Sequence, residues 1–283
     1  MTAILFKCKT GEAYEVKITA ELLTNNLKNG CFILSEDEIS LRMFDAHKNT
    51  LVDLELEAEN FSLYKFKSEE KIPIGLNLNH FHKILKSIKK KDSLQLFIPS
   101  SNPNELGIRT IPKENTRVTT SYIMIQETQN LDIDLPVGYG KPVIVASSDF
   151  QKMCKELTSI GCTNIRVSSR AFHIDFIADV NKVMKRTVRL GENDDSSDDE
   201  DEEESKSNVY EATFLAERFS RISKIAGLSN TMQIFPGSDK LPLLLRSRIG
   251  SIGRISIYIK SKEQTEREMA YSSDSDSEDE YDY

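Results

Sequence analysis

The chain passes twice through one order of elements: strand, helix, strands, a second helix, strands. The repeat lies in the pattern and not in residue identity. The two passes meet at residues 129–142, where Gln129-Asn130-Leu131-Asp132-Ile133-Asp134-Leu135-Pro136-Val137-Gly138-Tyr139-Gly140 alternates apolar with polar and then dissolves into Pro and Gly, as a connector does. Thirteen short runs rich in Val, Ile, Leu, Tyr and Phe, from 31–34 to 254–258, read as strands bounded by turn residues. So many short strands imply a largely antiparallel α+β chain. The two halves are expected to share this order on either side of the connector.

Four helices are expected among the strands. Residues 79–88 place Phe81, Ile84, Leu85 and Ile88 on one stripe, and residues 148–158 do the same with Phe150, Met153, Cys154 and Leu157. Ser147 or Ser148 is a candidate N-cap for the latter, and Gly161 ends it. A third helix is expected over 214–225 on Leu215, Phe219, Ile222 and Ile225. The first, near 14–27, is weakened by Thr19, Thr24, Asn25 and Asn26.

Charge separates the chain into unlike parts. The 283 residues carry a net charge of -8, yet residues 192–204 hold ten acids and no base, and residues 263–283 hold nine acids and only Arg267. Without these segments the body has 36 Lys and Arg against 26 Asp and Glu, a net +10. The bases gather on polar helix faces: Lys17 and Lys28, then His82, Lys83, Lys86, Lys89 and Lys90, then Lys152 and Lys155, then Arg218, Arg221 and Lys224. Helices biased one way inside an acidic chain point to a polyanion partner, with plain solubilising lysines as the alternative. The acidic segments, 191–208 and 263–283, are expected to be disordered, either as solubilising appendages or as hydroxyl donors for an acid-directed kinase.

Other classes find little footing. Apolar runs reach about five residues, against the ~20 a membrane helix needs, so neither a membrane span nor a secretory leader is expected. Cys8, Cys31, Cys154 and Cys162 never approach CxxC spacing, and His80 and His82 lack further ligands, so neither a metal nor a cofactor is expected. With no Gly-rich phosphate loop and no nucleophile elbow, no catalytic residue is assigned and an enzyme is not expected.

Four collinear stretches carry a family resemblance. They are Ile39-Ser-Leu-Arg-Met-Phe44 with its following loop and Leu51-Val-Asp-Leu54; Gly75-Leu-Asn77-Leu through Lys83-Ile84-Leu85-Lys86; Ser148-Asp149-Phe150 through Ile160-Gly161; and Leu241-Pro242-Leu243 with Gly253 through Ile259. Together they resemble the eukaryotic-type DNA sliding clamp, proliferating cell nuclear antigen, over residues 1–262. The resemblance implies an α+β DNA clamp fold with two similar sheet-plus-helix domains, 1–128 and 143–262, that closes as a ring-forming homotrimer, with the strands near 122–126 of one chain beside 183–190 of the next.

The same resemblance implies the function and its residues. Lys17, Lys83, Lys86, Lys152, Lys155, Arg221 and Lys224 would line a central hole and hold double-stranded DNA without reading sequence. Phe44, Ile133, Leu135, Pro136, Pro242, Tyr258 and Ile259 would form a pocket for Q-x-x-[ILM]-x-x-aromatic-aromatic peptides of a DNA polymerase and other clamp-binding proteins. Pro242 and Tyr258 suit core packing almost as well. A processivity factor of this kind implies a clamp loader, and a nuclear location or a viral replication compartment. The second reading is an acidic nuclear scaffold or histone-chaperone-like binding protein. Asp134 between the apolar connector residues, Glu217 on a basic helix, Arg170, the Lys89-Lys90-Lys91 run and the long acidic insertion depart from the family pattern.

Overall fold

The computed structural model describes residues 4–114, 117–128, 131–170, 172–180, 183–191 and 210–275. They form two compact units. The first comprises Met1–Asp134, Lys224–Asn230 and Arg246–Ile257, and the second comprises Leu135–Ser223, Thr231–Leu245 and Tyr258–Tyr283. The division falls inside the expected connector, whose described residues 131–142 have no regular structure. Two late segments within 143–262, residues 224–230 and 246–257, pack with the first unit. Lys224 pairs with Glu21 at 2.8 Å, Arg254 pairs with Glu55 at 2.6 Å, and the Ser251 hydroxyl donates to Glu12 at 3.0 Å.

In the first unit, β1 (Ile4–Thr10) is followed by α1 (Ala13–Asn26), β2 (Asn29–Leu34), β3 (Glu38–Phe44), β4 (Thr50–Glu57), β5 (Leu63–Phe66), β6 (Ile72–Asn77), α2 (Leu78–Leu85), β7 (Ser93–Pro99), β8 (Glu105–Ile111) and β9 (Thr119–Met124). One sheet has the order β5-β1-β7-β8-β9, so β9 is an outer strand. Strands β4-β3-β2-β6 lie side by side in another. The core between them comes from period-2 burial: Phe6, Cys8 and Thr10 on β1, Leu41 on β3, Leu54 on β4, Leu76 on β6 and Ile98 on β7. Gly75 is required on β6, since a Cβ there would sit 2.5 Å from the Gln126 carbonyl oxygen, with which Gly75 exchanges backbone hydrogen bonds.

The second unit contains β10 (Val143–Ala146), α3 (Ser147–Ser159), β11 (Asn164–Arg170), β12 (His173–Val180), β13 (Met184–Gly191), β14 (Tyr210–Leu215), α4 (Ala216–Ile222) and β15 (Thr231–Phe235). Strands β16 (Leu243–Ile249) and β17 (Gly253–Ile259) and helix α5 (Lys262–Ser275) complete the chain. Its four-stranded sheet has the order β13-β12-β11-β14, leaving β13 at an edge. A run of rings forms the core here: Phe150 on α3, Phe176 on β12, and Phe219 and Phe214, with successive centroids 6.3, 5.5 and 5.8 Å apart. Edge-to-face pairs of this kind add about 1 kcal/mol each beyond their buried area.

The sequence expectations need four corrections. Strands β1, β6, β8 and β14 stand outside the thirteen runs: β6 holds Pro73 and Gly75 and β8 holds Gly107, which read as breakers. Phe214 and Leu215 belong to β14 and not to a helix; Phe214 pairs with Ile165 across the sheet and is fully buried. Neither Ser147 nor Ser148 caps α3: Ala146 holds that position without a side-chain bond, and the buried Ser147 hydroxyl has no partner among the described residues. Over 263–275 the expected disorder gives way to α5, opened by a reciprocal Ser261–Gln264 capping pair. The Glu263 carboxylate accepts the free backbone N–H of Thr213 on the outer strand β14. Residues 276–283 and 192–208 of the acidic segments lie outside the described residues.

Candidate nucleic-acid interface and docking pocket

The seven expected DNA-facing bases fall into two electrostatic groups. Lys83, Lys86 and Lys155 are exposed and form no ion pair among the described residues. Lys83 also borders an open groove of about 450 Å³ whose lining includes His80, Ile84, Tyr122 and Met124. The remaining four are engaged. Lys17 donates to the Ile88 carbonyl at 2.9 Å, Lys152 pairs with Asp149 at 3.2 Å, Lys224 pairs with Glu21, and Arg221 pairs with Glu217 one turn earlier. Glu217, an acid on a basic face, thus takes up part of the charge of Arg221.

Helix–helix packing sets these faces. In the first unit α1 packs on α2, and in the second α3 packs on α4. Between α3 and α4 runs a groove of about 270 Å³ lined by Cys154, Lys155, Thr158, Ser159, Ser220 and Ser223. Burial pushes the Cys154 thiol up to about 12, as it does for Cys8. All four cysteines are free and buried. Among the described residues, no cluster of three His, Cys, Asp or Glu side chains comes together for a metal.

The expected peptide-pocket residues are placed unevenly. In the first unit Phe44 and Ile133 are half-buried. The Arg42 guanidinium donates to the Ile133 carbonyl at 3.1 Å and to Asp53 at 3.0 Å, which ties this end of the connector to β3. Burial raises the Asp53 pKa above the ordinary carboxylate value, against the lowering influence of Arg42. In the second unit Leu135, Pro136 and Pro242 are half-buried, whereas Tyr258 is 4% exposed and Ile259 fully buried. Ile259 therefore serves the core and cannot line a surface pocket in this conformation, because it faces inward on β17.

Two residues outside the expected set also matter, one in each unit. Tyr139 donates its hydroxyl to the Pro242 carbonyl at 2.9 Å, and its ring lies 6.0 Å from Phe235 and 6.2 Å from Tyr258. Arg42 is the other, and its strand position between Leu41 and Met43 was the available signal: a cation in an apolar run needs an anion and a reason. Tyr139, flanked by Gly138 and Gly140, carries no such signal.

Residues 5–134 match the family described as proliferating cell nuclear antigen, N-terminal domain, and residues 136–262 match its C-terminal domain. The chain belongs to the proliferating cell nuclear antigen family. It is 21% identical over 260 residues to the "Probable DNA polymerase sliding clamp 1" of Paramecium bursaria Chlorella virus 1, covering 90% of this chain and 96% of that one. It is 29% identical over 237 residues to the DNA polymerase sliding clamp of Thermococcus onnurineus, covering 80% and 91%. The crystal structure of proliferating cellular nuclear antigen from Entamoeba histolytica superposes with a TM-score of 0.77 at 18% identity, covering 92% and 99%.

This clamp-family chain therefore has the two-domain fold that its repeated element order implied. The scaffold or histone-chaperone alternative finds no support in these relatives. The C-terminal family match ends at 262, where α5 begins. That helix extends beyond the matched domain.

Proposed function

We infer that this chain is a DNA polymerase sliding clamp, a processivity factor that encircles duplex DNA and docks replication and repair proteins. Both family domains and the clamps named among its relatives support this reading. No catalytic step is assigned to the chain. Three copies close a ring, β9 of one beside β13 of the next. The observation that carries closure is the pair of outer strands: Tyr122 and Met124 on β9 are 55% and 60% exposed, and Val183 and Met184 at the start of β13 are 89% and 44% exposed. Exposed apolar edge strands are hazards unless another strand covers them.

Within the ring the basic helix faces hold the phosphate backbone by sequence-independent contacts, which permits sliding. Lys83, Lys86 and Lys155 carry most of that duty, since the other four bases are partly committed to neighbours. Partner peptides of the Q-x-x-[ILM]-x-x-aromatic-aromatic type dock on the second unit against Leu135, Pro136 and Pro242, beside Tyr139. A clamp loader opens the ring onto closed DNA, in a nucleus or a viral replication compartment. Light scattering tests the ring: a mass about three times the 32.2 kDa chain is expected, and a monomer at micromolar concentration would contradict it.

A further inference from the structure

Strand alternation gives the first unit a second cationic surface, on the face of the sheet β5-β1-β7-β8-β9 turned away from the core. The core face of that sheet meets the helices: Phe6, Leu96 and Leu106 line one internal cavity with Val16, Ala20 and Leu23 of α1 and Phe81 of α2. Residues of the opposite parity point away from both helices and from their basic faces. There Lys65 of β5 stands across from Lys7 of β1, and Lys7 across from Phe97 of β7. Two residues along, Lys9 stands across from Gln95, and Gln95 across from Arg109 of β8.

None of Lys7, Lys9, Lys65 and Arg109 forms an ion pair among the described residues. Glu105 is the one acid that these strands put on this face, and it lies about 13 Å along β8 from Arg109. Like charges directly opposite on a sheet repel, so Lys65 and Lys7 are held together at a cost that a bound anion removes.

Beside the cations lies an aromatic seat. The Phe97 ring lies across Gly107, where a Cβ would come within 2.3 Å of the ring's Cζ. The Arg109 guanidinium is 5.7 Å from the ring centre, and the Tyr122 ring meets it edge-on at 6.1 Å. Arg109 is fixed by its Nε, which donates to the Thr120 hydroxyl at 3.2 Å. Gln95 is 8% exposed, and its side-chain amide has no hydrogen-bond partner among the described residues. A buried amide left without a partner is costly, and a ligand on this face would supply one.

We propose that this sheet face binds single-stranded DNA. Lys65, Lys7 and Lys9 take phosphates, a base stacks on the Phe97–Arg109 pair, and the Gln95 amide bonds to the strand. A duplex satisfies the cations but keeps its bases stacked on one another, and an acidic peptide leaves the ring and the amide unused. The strand is held without sequence readout, because every base has a π-face. The site goes beyond the clamp reading and uses none of the bases assigned to duplex contact.

The test titrates the full-length chain with a fluorescent oligothymidylate of about 15 nucleotides, and separately with a short duplex, each across a range of salt. Three variants are compared: Lys7→Gln with Lys9→Gln and Lys65→Gln; Phe97→Leu; and Lys83→Gln with Lys155→Gln on the helix faces. Each lost phosphate contact lowers the single-strand slope of log affinity against log salt by about 0.7, so the triple variant should lose about 2 from that slope and keep its duplex affinity. Phe97→Leu should bind the oligothymidylate about tenfold more weakly with an unchanged slope. Thermal melting should show both variants folded. Single-strand binding weakened only in the helix-face variant would overturn the sheet-face site. Parental affinity in Phe97→Leu would also overturn it, as the mark of a plain polyanion surface that an acidic segment would serve equally. Failure of the unmodified chain to bind the oligothymidylate would overturn the site and leave the clamp reading to the duplex titration.

Discussion

At the residue scale, Arg42 and Leu135 bear the most testable roles. Arg42 neutralises the buried Asp53 and holds the Ile133 carbonyl. Removing it by Arg42→Ala leaves an uncompensated buried carboxyl and should cost about 3 kcal/mol. The cost depends on pH. Asp53 titrates above its unfolded value of 3.8 in the folded chain, so the native state binds more proton and this group loses stability as pH rises from that value through the folded one. Without Arg42 the folded value rises further, so the variant should be more destabilised at pH 7 than at pH 4; urea melts showing equal cost at both would refute the assignment. Leu135→Ala should weaken a fluorescent Q-x-x-[ILM]-x-x-aromatic-aromatic peptide about tenfold without altering mass, and unchanged affinity would remove Leu135 from the pocket. Single residues were legible where chemistry was unusual for its setting. Ile259 was not, because an apolar strand residue looks alike on either face and only the packing of β17 shows it buried, whereas Tyr258 suited core packing almost as well as contact and is 4% exposed.

At the element scale, stripes of apolar residues located the helices and the surroundings corrected their ends. The weakest expectation by propensity, α1, is a full 14-residue helix. Its poor helix formers are accommodated: the hydroxyls of Thr19 and Thr24 and the side-chain amide of Asn26 donate to carbonyls four residues back, and Leu22 and Leu23 are buried. Gly161, at φ +75°, ends α3 as its position suggested. Strands with Pro or Gly were missed because edge placement and close backbone approach make such residues tolerable there, and neither is visible in one dimension. The charge on the helices separates by partner. Lys155→Gln should lower the salt slope of duplex binding by about 0.9, whereas Arg221→Gln should lower it less, since Glu217 already shares that charge. Equal slopes for the two variants would contradict this division. On the outer strands, Tyr122→Glu should turn the trimer into single chains by light scattering, because a charge would be buried at the β9–β13 seam. A full trimer mass would show that the seam lies elsewhere.

For the whole molecule, two tandem family domains and a repeated element order agree on a clamp, and the net charge of -8 is a poor guide to its partner. The architecture was legible because duplication constrains many elements at once. The packing of residues 224–230 and 246–257 with the first unit was not, since it brings together residues as far apart as Glu55 and Arg254. The central claim is that the assembled protein surrounds duplex DNA. The direct measurement mixes the protein with a linear duplex at low salt, then blocks both ends with a bulky bound protein or leaves them free. Retention is measured after a wash in ~1 M salt, where the screening length is about 3 Å and phosphate contacts are lost. A ring predicts retention on the blocked duplex and loss from the open one; equal loss from both would contradict encirclement.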